Sequence, residues 1–359
     1  MTLISITDCR FCSLISKANG EDPIGSAPIA DHWLIIELPQ PWATQVFQAD
    51  ADIQPVFALM RKVVLQGVKL RPIAIAPDRE YSQPGYRRIL YYDRSHLSMS
   101  AFEPQEYLVP TAKLGEFATA LLKQISGQPS HLERFELYRQ ANCSMRDILV
   151  CTHGNVDVAC SRFGFPIYDK LRKAYANETL RVWRCSHFGG HQYAPTLVDL
   201  PSGRYWGHLE LETLDTLVHQ QGNPLDLYRF YRGWAGLAKF EQIAERELWM
   251  REGWDWLTYQ KQGRVLKLGE NGLLHWIRHL LRWIPSRRLN RLLERSKQDA
   301  RWAIVQIDYA APDGSVGGSY RARVEVSGQI QTAIRSAEQM TLVPVNQYRV
   351  TGLNKLVYP

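Results

Sequence analysis

Four side chains that bind metals, Cys151, Cys160, His187 and His191, sit in two short stretches, "CTHGNVDVAC" and "CSHFGGH". Thiolate and neutral imidazole are ligands for zinc and for iron–sulfur clusters. Eight residues separate the two cysteines and three separate the two histidines. A zinc finger places its paired cysteines about two to four residues apart, so this spacing argues against a finger and leaves a zinc site of another kind open. Histidines four positions apart on a helix would share a face. Here Gly189 and Gly190 intervene, and each glycine costs about 1 kcal/mol relative to alanine inside a helix, so a loop is expected. Glycine also lets the backbone approach a ligand closely. A lone buried cysteine is usually a small hydrophobe. Two cysteines and two histidines at the ends of neighbouring strands point instead to a metal or cluster site.

The elements that must position them read as follows. "HWLIIELP" is a strand, "IQPVFALMRKVVLQG" a helix closed by Gly67, and "VKLRPIAIAP" a second strand. "RRILYYD" and "SMSAFEP" read as a strand pair, and "LGEFATALLKQIS" as a helix. The order then repeats. "DILVCTHG" is a strand running into a cysteine loop. "PIYDKLRKAYA" is a helix with Pro166 in its first turn, a tolerated place. "TLRVWRCSH" is a strand entering the histidine loop, "APTLVDLPSGRYWGHLEL" a hairpin, and "LDTLVHQQG" a helix closed by Gly222. Strand, helix, strand, hairpin, helix is the order of a thioredoxin-like fold. The expected class is α/β (α+β), with tandem thioredoxin-like domains and a C-terminal α+β extension. The expected boundaries are 1–130 for a first unit without a full ligand set, 131–224 for the unit with the site, and 225–359 for a helical and β extension.

Composition narrows the classes. The chain has 359 residues, 45% of them hydrophobic and 22% charged, which suits more than one compact unit. No apolar run spans a bilayer, and the first residues lack a basic start and an apolar stretch, so a cytoplasmic location is expected. There thiols stay reduced, and six cysteines in a chain this long are not a disulfide scaffold. The net charge of +7 favours acidic partners. Glycine-rich phosphate loops and RNA-binding aromatic motifs are missing, so nucleic acid is not an expected partner.

A Rieske centre also uses two cysteines and two histidines, in C-x-H and C-x-x-H pairs. "CTH" at 151–153 has the first spacing, but "CSH" at 185–187 breaks the second, which leaves His153 and Cys185 as rival ligands. A closer resemblance lies elsewhere. "CTHGNVDVAC", "CSHFGGHQYA" and "LPSGRYWGHL" resemble the sucrase/ferredoxin-like family of thioredoxin-like ferredoxins. "CSLISKANGEDPIGSAP" followed by "WLIIELPQPWA" is similar to the opening of bacterial members, and the likeness runs from about residue 12 to 232, with further matches near "QIAERE" and "VNQYRVTGL". The resemblance implies a [2Fe–2S] cluster held by Cys151, Cys160, His187 and His191. Ala159 and Ser161 replace a cysteine or glycine found beside the second ligand in many members, and Thr196 replaces a common asparagine. His191 stands where some relatives carry aspartate.

Such ligation implies one-electron transfer coupled to protons. Two ferric ions, two sulfides and two thiolates sum to zero charge beside neutral imidazoles, so an added electron is less opposed than in a four-thiolate site. A ligating imidazole also keeps one nitrogen that a proton can occupy. The implied role is an electron carrier rather than an enzyme, working with a redox partner such as a reductase or ferredoxin. No carboxylate pair suggests a sugar hydrolase. Asp157 could orient a ligand or accept a proton, or equally cap a helix, and Arg162 and Arg184 could offset cluster charge, with exposed salt-bridge partnership the favoured role. Two other readings stand beside this one: a zinc-stabilised interaction protein, and a thiol oxidoreductase using the Cys9/Cys12 pair of "CRFC". The basic amphipathic stretch 273–297 reads as a helix packed by its apolar side, with contact to an anionic membrane surface the less favoured use.

Overall fold

The computed structural model describes residues 10–94, 100–141, 145–269 and 300–356. Cys9 and the basic stretch 273–297 lie outside the described residues. After a short helix α1 (Cys12–Ala18), the first half of the main body runs β1 (His32–Glu37), α2 (Val46–Ala49), α3 (Gln54–Leu65), β2 (Leu70–Ile75), β3 (Tyr86–Asp93), β4 (Glu103–Pro110) and α4 (Leu114–Ile125). The second half runs β5 (Arg146–Cys151), α5 (Val158–Ala174), β6 (Leu180–Cys185), β7 (Leu197–Leu200), β8 (Arg204–Trp206) and α6 (Leu214–His219). β1 pairs parallel to β2 and antiparallel to β3, and β5 pairs parallel to β6 and antiparallel to β7. Strand order is therefore the same in both halves: second, first, third, fourth. β1 and β5 are central, and both read as nearly continuous apolar runs because both of their faces are buried.

The two halves form one nine-stranded sheet, closed at one edge by β9 (Tyr231–Trp234). They join where β2 meets β6, antiparallel, through Ile75 and Cys185. The sheet is folded over at this seam. Trp33 on β1 and Tyr205 on β8 stand five strands apart in the sheet order, which would be roughly 24 Å in a flat sheet. Their ring centroids are 5.4 Å apart. One shared apolar layer, with Trp33, Ile73 and Tyr92 from the first half against Leu149, Val198 and Tyr205 from the second, fills the space between the half-sheets. α3 and α4 cover the outer face of the first half.

A buried ionic cluster also links the halves. Asp147 on β5 accepts hydrogen bonds from Arg181 Nε at 2.8 Å, Trp183 Nε1 at 2.7 Å and the Tyr92 hydroxyl at 2.5 Å. Arg181 also reaches both carboxylate oxygens of Glu106 on β4, at 3.1 and 2.9 Å.

The remaining elements are α7 (Lys239–Glu252) and an antiparallel sheet of β10 (Gln260–Gly269), β11 (Trp302–Ala310), β12 (Gly317–Ala333) and β13 (Leu342–Leu356). α7 lies between the second half and this sheet, so several of its polar residues are buried, and three of them are held by partners. The Gln242 amide reaches the carbonyls of Ala27, Trp234 and Leu237, Glu245 binds Arg204 and Tyr231, and Arg246 binds Asp22. The class expected from the sequence, mixed α and β with an added α+β segment, is the one observed. Among the described residues no helix is long and apolar enough to cross a membrane.

Two local readings are corrected. The strand expected at "SMSAFEP" lies later, at Glu103–Pro110, where Tyr107 and Val109 face the core and pair with β3. The helix expected to begin at Pro166 begins eight residues earlier, at Val158, with Pro166 inside it. Asp157 caps that earlier start, its Oδ1 accepting the Ala159 N–H at 2.9 Å.

Candidate metal centre

Cys151 is the last residue of β5 and lies beside Cys185, the last residue of β6, in parallel register. The chain leaves β5 with the Thr152 N–H bonded to the Cys185 carbonyl at 3.1 Å, turns, and re-enters at the Asp157 cap. Cys160 thus belongs to the first turn of α5 and not to a loop. A helix N-terminus favours a thiolate through its free N–H groups and dipole. α5 can lie this close to β5 because residue 164 is glycine: a Cβ there would fall 2.1 Å from the Cys151 carbonyl oxygen.

The two thiols are buried, each 1% exposed. His187 Nδ1 lies 3.9 Å from Cys151 Sγ and 3.7 Å from Cys160 Sγ. A hydrogen bond from Cys160, then the neighbouring His187, holds the Cys151 thiol well below the usual thiol range, while the same partnership pushes Cys160 up. The pair releases one proton readily and holds the second.

His191, in the short helical turn after the double glycine, is set differently. Its ring centroid lies 5.4 Å from that of His187. Its Nδ1 is 3.3 Å from Asp157 Oδ2 and 3.5 Å from Cys12 Sγ. Burial holds His191 below the usual imidazole value, against the pull of Asp157. Burial likewise pushes the Cys12 thiol up to about 12, and the Asp157 charge adds to this. Asp157 itself is held below the usual carboxylate range: burial would raise it, but bonds from Ser336 and Ala159 and the His191 charge outweigh that.

The four residues singled out from the sequence therefore fall in two adjoining groups. Cys151, Cys160 and His187 form one, and His191 joins Cys12 and Asp157 in the other. Of the rival ligands, Cys185 is fully buried with its thiol pushed well up by burial, and His153 accepts the His187 backbone N–H at its Nδ1 over 3.3 Å. His153 Nε2 has no hydrogen-bond partner among the described residues, and its ring stands edge-on to Trp42.

Arginines do support the site, but neither Arg162 nor Arg184 is among them. Arg162 is exposed and Arg184 lies over the Tyr168 ring. Arg232 and Arg71 instead hold the histidine loop. Arg232 donates to the Gly189 carbonyl at 3.0 Å and to the Ser26 hydroxyl and carbonyl, each at 3.0 Å. Arg71 donates to the Phe188 carbonyl. Burial lowers the Arg232 guanidinium to about 10, so it keeps its charge at neutral pH and offsets a nearby thiolate. These arginines sit far from the ligands in sequence, so local spacing gave no sign of them. Cys12 did carry a sign, as the one cysteine of "CRFC" inside the family-like opening.

The loop itself needs glycine. Gly189 and Gly190 both have positive φ, 101° and 82°. A Cβ on Gly190 would meet the Arg232 guanidinium at 2.3 Å, whereas one on Gly189 would meet nothing closer than 3.9 Å. Each alanine strains the backbone by about 1–2 kcal/mol. Gly190→Ala must also displace a buried arginine, so it is expected to destabilise the chain by at least about 1 kcal/mol more than Gly189→Ala. Urea unfolding midpoints compare the two, and equal losses would remove Arg232 as the clamp.

No curated protein and no solved structure matches the chain. The family model described as sucrase/ferredoxin-like matches residues 23–233. The matched segment includes both thiols of the pair, both histidines and Arg232, and leaves Cys12 and Ser336 outside. It covers more than half of the sequence, and the chain belongs to the sucrase/ferredoxin-like family.

Proposed function

We propose that the chain binds a [2Fe–2S] cluster through Cys151, Cys160, His187 and His191 and works as a one-electron carrier. The observation that carries this reading is the convergence of two buried thiols and the His187 imidazole within 3.9 Å, with the His191 ring next to that of His187. Sulfur and imidazole donors on a mainly apolar floor fit such a group. When bound, it would exchange single electrons at a potential raised by its imidazole ligands.

The chain's own residues have definite tasks. With its hydrogen on Nδ1, 3.3 Å from Asp157 Oδ2, His191 would offer Nε2 to the cluster. Arg232 and Arg71 pin the backbone between the histidines. The thiols are shut away from solvent while both imidazoles are partly exposed, so the imidazole edge is where a partner makes contact. Each ligating imidazole would keep one N–H, lost more readily from the oxidised than from the reduced site, so electron uptake would be coupled to a proton at pH values where the oxidised site has lost it. The net charge of +7 suits an acidic redox protein, such as a reductase or ferredoxin. A cytoplasmic setting would keep the thiols reduced.

Anaerobic purification tests the reading. About two iron and two acid-labile sulfide per chain are expected, with a paramagnetic signal on one-electron reduction. Both are expected to be lost in Cys151→Ser and in Cys160→Ser. A colourless protein holding zinc and no sulfide would refute the proposal.

A further inference from the structure

The second group, Cys12, Asp157 and His191, has donor atoms set for a metal of its own. A tetrahedral zinc, with bonds of about 2.3 Å to sulfur and about 2.0–2.2 Å to nitrogen and oxygen, holds its ligand atoms about 3.4–3.6 Å apart. Here Cys12 Sγ to His191 Nδ1 is 3.5 Å, Cys12 Sγ to Asp157 Oδ2 is 3.8 Å, and His191 Nδ1 to Asp157 Oδ2 is 3.3 Å. The three come from separate parts of the chain: the start of α1, the cap of α5 and the turn after the histidine loop. The Cys12 side is closed, with Cys12 0% and Asp157 5% exposed. Ser336, from the segment between β12 and β13, borders the group, its Oγ 3.4 Å from Cys12 Sγ and 2.6 Å from Asp157 Oδ1. It supplies the nearest further oxygen for a fourth position.

We propose that Cys12, Asp157 and His191 form a mononuclear site for a divalent cation of the zinc class. Binding is a ligand exchange with no redox step. The metal replaces the thiol proton of Cys12, which goes to solvent. The carboxylate is already ionised. The imidazole stays neutral by carrying its hydrogen on Nε2 while Nδ1 binds the metal. This is the opposite tautomer to the one the cluster reading requires. A neutral His191 ring serves one metal at a time, so zinc here leaves the Cys151–Cys160 pair without its fourth ligand. Zinc at Cys12 and a cluster that uses His191 therefore exclude each other, and the zinc site is tested in a chain whose Cys151–Cys160 pair holds no iron.

The test uses the full chain with Cys151→Ser and Cys160→Ser, which removes the other thiols able to take metal at His187. After chelation and dialysis, Co²⁺ is titrated in. The expected result is about one Co²⁺ per chain, with the strong ligand-field absorption of four-coordinate cobalt and a thiolate charge-transfer band, both bleached by Zn²⁺. Adding Cys12→Ser is expected to abolish the charge-transfer band, and Asp157→Asn to weaken binding at least about tenfold. Far-ultraviolet circular dichroism checks that each variant is folded. Should the serine pair fail to fold, Cys151→Ala with Cys160→Ala carries the same titration. A folded protein that binds no cobalt would overturn the proposal, as would an unchanged spectrum after Cys12→Ser. Iron and sulfide in the unsubstituted chain report separately on the cluster reading.

Discussion

With His187→Cys and His191→Cys combined, the reduction potential of the loaded protein is expected to fall by about 250–700 mV. The range is the gap between imidazole-ligated centres, about −150 to +300 mV, and four-thiolate clusters near −400 mV. The cause is charge. Two extra thiolates turn a neutral oxidised site into one carrying two negative charges, and an electron enters it against that field. The surroundings do not cancel this. Arg232 is buried, but its hydrogen bonds go to Gly189 and Ser26, so its position is already fixed. The double variant also loses the two nitrogens able to hold a proton, so the dependence of potential on pH should flatten. Potentiometry followed by paramagnetic resonance across a pH series gives both readings. A change below about 50 mV would exclude both histidines as iron ligands.

Asp147→Ala is expected to be the most destabilising single change in the main body, at about 3–5 kcal/mol. Asp147 is 1% exposed and accepts from Arg181, Trp183 and Tyr92. Truncation takes from the buried Trp183 indole N–H its acceptor and from the Tyr92 hydroxyl one of its contacts. It also leaves Arg181 with Glu106, which Arg88 already shares. Each orphaned neutral group costs about 1–3 kcal/mol. Because Tyr92 and Glu106 belong to the first half and Asp147 and Arg181 to the second, the loss falls on the contact between the halves. Asp147→Asn keeps a side-chain oxygen and should lose less. Denaturant unfolding followed by circular dichroism ranks the variants. A loss under about 1 kcal/mol for alanine would show the cluster to be dispensable.

The elements most legible in the sequence were those with a strong periodic signal and a clear stop. β1, α3, α4 and β5 lie close to where their apolar patterns put them, and the repeated order of elements anticipated the repeated strand order. α5 was misread because Pro166 looked like a beginning. The stronger signal was Asp157, whose reading as a helix cap was not used to set the helix start, which left Cys160 in a loop. The folding-over of the sheet was not legible, since it depends on aromatic contacts between strands far apart in the chain, such as Trp33 with Tyr205. The same holds for the candidate site. Local spacing revealed Cys151, Cys160, His187 and His191. It could not reveal Arg232, Ser336 or the closeness of Cys12, which topology alone brings to them.

Ser336 is bonded to Asp157 and to Cys12, a residue 324 positions earlier. During synthesis the chain emerges from its N-terminus, and early units fold first. The Cys151–His187 pocket is translated long before the serine that closes over its neighbour. Until residue 336 has been made, Cys12 and Asp157 lack the hydroxyl that borders them in the folded chain.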